Sequence, residues 1–153
     1  MCRRKSLFKI GIFLLCIIYL SIVSADIFQE TGIIIVNIKD FRNNDGVARV
    51  TLFDQKKGFP NKYKYALAYG DSPVQDSSSQ YIFRDVLYGQ YSVGVFHDED
   101  ENGKLKSNLI GMPREGVGVS NNAKGSFGPP KFKDCLFSVD RDTVELSIDL
   151  NYL

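Results

Sequence analysis

The chain has 153 residues, room for one domain of ordinary size. Its 19 Lys and Arg side chains nearly balance 18 Asp and Glu, and setting aside the first 25 residues, which hold Arg3, Arg4, Lys5 and Lys9 and no acid, leaves 15 basic against 18 acidic side chains, a net charge of −3. That excludes the basic face of a nucleic-acid binder, and a single histidine excludes multi-histidine zinc sites and two-histidine acid–base pairs.

The N-terminal segment, residues 1–25, reads as a secretory signal peptide. The basic cluster precedes an apolar run from Ile10 to Val23, and Val23-Ser24-Ala25 places small residues before a cut at Asp26. The run is shorter than the roughly 20 residues of a membrane span. An uncleaved anchor is the rival reading. A lipid anchor on Cys16 fits poorly, because Leu15 stands where a lipoprotein signal carries a small residue. The expected location is secreted or periplasmic, with membrane contact only through this segment. Cys135 is then the one cysteine of residues 26–153, without an internal disulfide partner, and reads as a small buried hydrophobe in a strand.

Residues 26–153 read as one all-β domain. Ile33–Ile38 is rich in β-branched residues and predicts a first strand. Asn43-Asn44-Asp45-Gly46 is a turn signal, and Val47–Phe53 alternates with Ala48, Val50 and Leu52 on an apolar side, so the two runs are expected to form a hairpin. The segment 54–79 is irregular, with a short strand expected around Tyr63, Tyr65, Ala66, Leu67 and Tyr69. Tyr81–Val86 and Tyr91–Phe96 are strands, and Lys131–Val139 and Thr143–Leu150 close the domain. No amphipathic helix of ten residues or more is evident. About seven short strands argue for an antiparallel β-sandwich, transthyretin-like or immunoglobulin-like.

Chemistry concentrates between His97 and Asn122. Asp98-Glu99-Asp100-Glu101-Asn102-Gly103 fits the opening of a calcium loop, in which alternating carboxyl and amide oxygens on a turned backbone converge on one ion. The side chains of Asp98, Asp100 and Asn102 and the carbonyl of Lys104 are the expected ligands. The bidentate Glu due at the twelfth position is absent, since Leu109 stands there, so the remaining oxygens are expected from Asn108 or Glu115. The same residues also serve a solvated acidic turn neutralised by Lys104 and Lys106.

Several motifs in order then resemble the DUF2141 family of exported bacterial proteins. They are His97-Asp98, Asp100, Asn102-Gly103-Lys104-Leu105, Asn108, Gly111, Pro113, Glu115-Gly116, Gly118, Ser120-Asn121-Asn122, Gly128-Pro129-Pro130 and Phe132, preceded by Phe83-Arg84-Asp85-Val86 and Gly89-Gln90-Tyr91. The resemblance implies a secreted or periplasmic sandwich with no established activity. This chain departs from the family pattern at Lys106, where an acid is usual, and at Val119, where an aromatic is usual. The first removes one ligand and sets a positive charge near the site.

The leading functional reading is an exported, non-enzymatic binding or interaction module, presenting the loop 98–122 to an envelope protein or a glycan, with calcium as the candidate cofactor. Two alternatives make distinct structural demands. A carbohydrate-binding module using Tyr63, Tyr65, Tyr69, Tyr81, Tyr88 and Tyr91 needs three coplanar exposed rings. A hydrolase using His97, Asp98 and Glu115 needs those side chains within hydrogen-bond reach in one pocket.

Overall fold

The computed structural model describes residues 29–125 and 128–153. The leader expected over 1–25 lies outside them, and no helix among the described residues is long and apolar enough to cross a membrane. Eight strands form two sheets: β1 (Thr31–Lys39), β2 (Val47–Phe53), β3 (Ala68–Pro73), β4 (Ser78–Leu87), β5 (Gly89–Asp98), β6 (Val117–Val119), β7 (Phe137–Val139) and β8 (Thr143–Asp149). The first sheet runs β4-β1-β8 and the second β3-β2-β5-β6, with β7 pairing the same β5 nearer its start.

The core follows from period-two alternation. Ile34, Val36 and Ile38 of β1 face Ala48, Val50 and Leu52 of β2 and Val93 and Val95 of β5, with Phe83 and Ile148 beside them, all buried. The apolar side read from residues 47–53 is therefore the inner one. Phe53 and Thr51, on the other side of β2, are buried as well, because the segment 54–66 and the turn at Phe132–Asp134 fold over the outer face of the second sheet. Phe59 stacks edge-on against both Phe53 and Phe132, with centroids 5.5 and 5.6 Å away. The Thr51 hydroxyl donates to the Pro60 carbonyl, and that carbonyl lies 2.1 Å from where a Cβ on Gly94 would stand.

Four expectations are corrected. The runs at 33–38 and 47–53 do not form a hairpin: β1 pairs β4 and β8, while β2 pairs β3 and β5, so the turn at 43–46 carries the chain between sheets. Tyr63–Tyr65 is a 3-10 turn, and the strand begins only at Ala68. Only Phe137–Val139 of the 131–139 run is strand. Cys135 is buried but follows the 3-10 turn Phe132–Asp134, where burial pushes its thiol up to about 11. The expected antiparallel-rich sandwich holds, and among the described strands only β1 and β8 pair in parallel. The strand order is decided by which faces pack, and local turn chemistry does not report that.

The second sheet's β5 carries the chain to the site. It is flanked by β2 on one edge and by β6 on the other, with Val47 opposite Asp98 and Phe96 opposite Val117. The end of β5, the return into β6 and the crossover at 40–46 thus meet at one end of the sandwich.

Candidate functional site

His97 and Asp98 are neighbours on a strand, so their side chains leave opposite faces of the sheet. His97 continues the inner row of Tyr91, Val93 and Val95 and is fully buried. Its ring lies edge-on to Phe41 at 4.9 Å. Nε2 lies 2.6 Å from the Asp45 carbonyl, which only accepts, so the proton sits on Nε2. Nδ1 then accepts from the Tyr152 hydroxyl at 2.8 Å, and that hydroxyl accepts in turn from the Arg42 backbone N–H. Both ring nitrogens are committed to holding the 40–46 crossover and the C-terminus together. The hydrolase arrangement is therefore corrected: His97 is bonded to neither Asp98 nor Glu115, and Asp98 projects from the other face.

On that outer face three carboxylates converge. One oxygen each from Asp98, Asp100 and Glu115 lies within 4.8 Å of the others. Asp98 and Glu115 are buried and Asp100 is exposed. The Asp98 carboxylate accepts the backbone N–H of Asn102 (3.1 Å) and of Gly103 (2.8 Å), closing the acidic turn on itself. Gly103 makes the turn at φ +75°, and Glu101 also lies in the left-handed region. The Asn102 side chain donates to Asp100 and accepts the Lys104 N–H. Glu115 returns from the far end of the loop and accepts the backbone N–H of Lys106 at 2.8 Å and of Glu99 at 3.4 Å. Glu115 thus arrives where the calcium-loop pattern lacked its twelfth residue.

Cations already stand at this cluster. The Lys106 ammonium is 2.7 Å from Asp100, an exposed pair that lowers the carboxyl's pKa and raises the lysine's, through the hydrogen bond first. Arg49, from β2, lies 3.5 Å from Asp98 and 2.9 Å from Asp71, with its Nε buried and unpartnered. Beside them Arg42 grips Glu99 through two bonds of 2.6 and 2.7 Å, holding that carboxyl below the usual range. Sequence reasoning missed Arg49. Its place on the side of β2 opposite Ala48, Val50 and Leu52 was visible, but the pairing that sets β2 beside β5 was not.

Of the expected ligands, Asp98, Asp100 and Asn102 meet in one hydrogen-bonded group with the Lys104 N–H tied into it, and Glu115 brings a carboxylate oxygen within 4.8 Å of those of Asp98 and Asp100. Asn108 does other work: its side-chain oxygen accepts the N–H groups of Ile110 and Met112 and shapes a turn further along the loop. The tyrosines do not build a sugar platform. Tyr91 is buried, Tyr81 and Tyr88 pack against the core, and the exposed pair Tyr63 and Tyr69 is tilted by 49°. The demand for three coplanar exposed rings is not met.

A model of a bacterial family, described as an uncharacterized protein conserved in bacteria, matches residues 36–147. No curated protein and no solved structure matches the chain.

Proposed function

The chain belongs to the DUF2141 family, and from that premise we propose that it is an exported, non-enzymatic interaction module whose acidic turn takes a calcium ion. The side chains of Asp98, Asp100, Asn102 and Glu115 and the carbonyl of Lys104 would hold the ion. The supporting observation is the convergence of three carboxylate oxygens within 4.8 Å on a turn closed by its own backbone N–H groups. Calcium takes six to eight oxygens at about 2.3–2.6 Å, and a turn plus one distant carboxylate is a donor set of that kind. The ion would displace the Lys106 ammonium from Asp100, so affinity is set by a competition inside the chain. Its effect would be structural: it would tie both ends of the loop to the end of β5 and fix the surface presented to a partner. Export is supported by the signal-like leader, and the choice of a non-enzymatic role by the commitment of both His97 nitrogens.

The test is calorimetric titration of the chain from Asp26 onward with calcium, with melting curves alongside. Every core residue among the described residues lies within that span. The expected result is a dissociation constant in the micromolar to millimolar range and a higher melting temperature, since a ligand of the native state stabilises it. Asp98→Asn and Glu115→Gln remove the heat, and Lys106→Ala tightens binding. Absence of heat in both the parent chain and Lys106→Ala overturns the calcium reading and leaves an ion-paired loop.

A further inference from the structure

Beyond the acidic turn the loop forms a small hairpin that the calcium reading does not use. Ser107 pairs with Pro113, Arg114 N–H donates to the Lys106 carbonyl, and Asn108 N–H donates to the Met112 carbonyl. The tip is pinned by the Gly111 N–H on the Asn108 carbonyl and by the Asn108 side chain on Ile110 and Met112. Gly111 turns at φ +83°, with open space where a side chain would be. This firmly bonded tip exposes the wrong chemistry for water. Leu109 is fully exposed, Ile110 is 79 % exposed and Met112 42 %. Single exposed apolar residues are ordinary on a protein surface, but three at the apex of one hydrogen-bonded turn form a patch.

The charge around the patch names its partner. From Lys104 to Arg114 the chain carries Lys104, Lys106 and Arg114, all exposed, and no acid. Among the described residues Lys104 and Arg114 make no ion pair. The cations stand on the stem of the hairpin, behind the apolar apex. We infer that this hairpin docks on an anionic lipid bilayer, with Leu109, Ile110 and Met112 entering the interface and Lys104 and Arg114 meeting lipid phosphates. A small convex apex backed by cations matches a membrane boundary in both layers: apolar beyond, negative in front. Because the tip is already ordered by its own hydrogen bonds, docking has little conformational freedom to remove. The inference deepens the interaction-module reading by naming the partner class, and it stands whether or not the acidic turn holds calcium.

The chain contains no tryptophan, so Ile110→Trp supplies a single reporter at the apex. The chain from Asp26 onward is mixed with phosphatidylglycerol-rich vesicles or with phosphatidylcholine vesicles, each with calcium and with chelator. The expected result in chelator is a blue shift of the emission with the anionic vesicles and none with the neutral ones. Co-sedimentation of the unlabelled chain falls about tenfold or more in Leu109→Asp, in line with loss of an apolar anchor. It falls in Lys104→Glu/Arg114→Glu and falls towards none in high salt. Leu67→Asp, which alters an exposed apolar residue outside the hairpin, leaves it unchanged. All four residues, Leu67, Lys104, Leu109 and Arg114, are exposed, and matching melting curves confirm that the variants fold. No blue shift with anionic vesicles overturns the inference, as does sedimentation that Leu109→Asp leaves intact, which would be surface charge attraction alone. Self-association in solution lost in Leu109→Asp, with no vesicle binding, overturns it too and assigns the hairpin to a second copy of the chain. Calcium heat without vesicle binding separates failure of this inference from failure of the calcium reading.

Discussion

Glu99 shows how one side chain can serve the site without belonging to its acidic cluster. It sits between Asp98 and Asp100, yet its carboxylate turns away to Arg42, while its backbone N–H goes to Glu115. The bidentate pair with Arg42 holds its pKa below the ordinary carboxylate value. A carboxyl depressed in the folded state contributes stability that is complete above its unfolded pKa and is lost as pH falls through the folded one. Melting temperature is therefore expected to fall on acidification below about pH 4, with Asp100 contributing in the same direction, and Glu99→Gln to flatten the acid limb while lowering the plateau at neutral pH. Melting curves taken across that range check it, and an unchanged acid limb would assign the loss to other carboxyls. At this scale the sequence was legible in its types and silent on partners. Asp98, Asp100 and Asn102 announce themselves by spacing. Nothing local tells that Glu99 faces Arg42 or that Lys106 lies on Asp100, because both pairings depend on how the loop returns.

The crossover at 40–46 is the element that most directly buttresses the site. Gly46 enters β2 at φ +62°, and a Cβ there would stand 2.0 Å from the Asp98 carbonyl. Only a residue without a side chain lets the two backbones meet. Gly46→Ala is expected to cost about 1–3 kcal/mol, from left-handed strain and from displacing backbone that cannot yield as a side chain would. Denaturant unfolding measures that loss, and calcium titration of the same variant should show weaker binding, since Asp98 is what moves. The strands themselves were largely readable: alternation located β1, β2, β4, β5 and β8 within a few residues. Their partners were not. An Asn-Asn-Asp-Gly turn usually closes a hairpin, but here Ile34, Val36 and Ile38 must face Ala48, Val50 and Leu52 across the core, and two strands that pack face to face cannot also lie side by side. The short β6 was obscured, and β7 was read only as the end of a longer run, because each gains its pairing from β5, many residues away.

Over the whole molecule, the sandwich is tied together by its last residues. Asn151 exchanges backbone hydrogen bonds with Val117, bridging the end of β8 to β6 across the two sheets, and Tyr152 bonds His97 and receives Arg42. Removing Asn151–Leu153 takes away those bonds and uncovers a buried imidazole, so a cooperative but markedly lower melting transition is expected, with the larger loss recovered if only Leu153 is removed. Calorimetry of the two truncations distinguishes these outcomes. The parallel pairing of β1 with β8 bears on how the protein comes into being. Asn37 near the start of the fold bonds Glu145 near its end, 108 residues apart, and β1 has no second neighbour until β8 exists. A chain synthesised from its N-terminus cannot complete the first sheet while its final strand is still in the ribosome, and such long-range closure is slow once it becomes possible. Until β8 has emerged, the newborn first sheet is therefore a two-stranded ribbon with one edge of β1 unpaired.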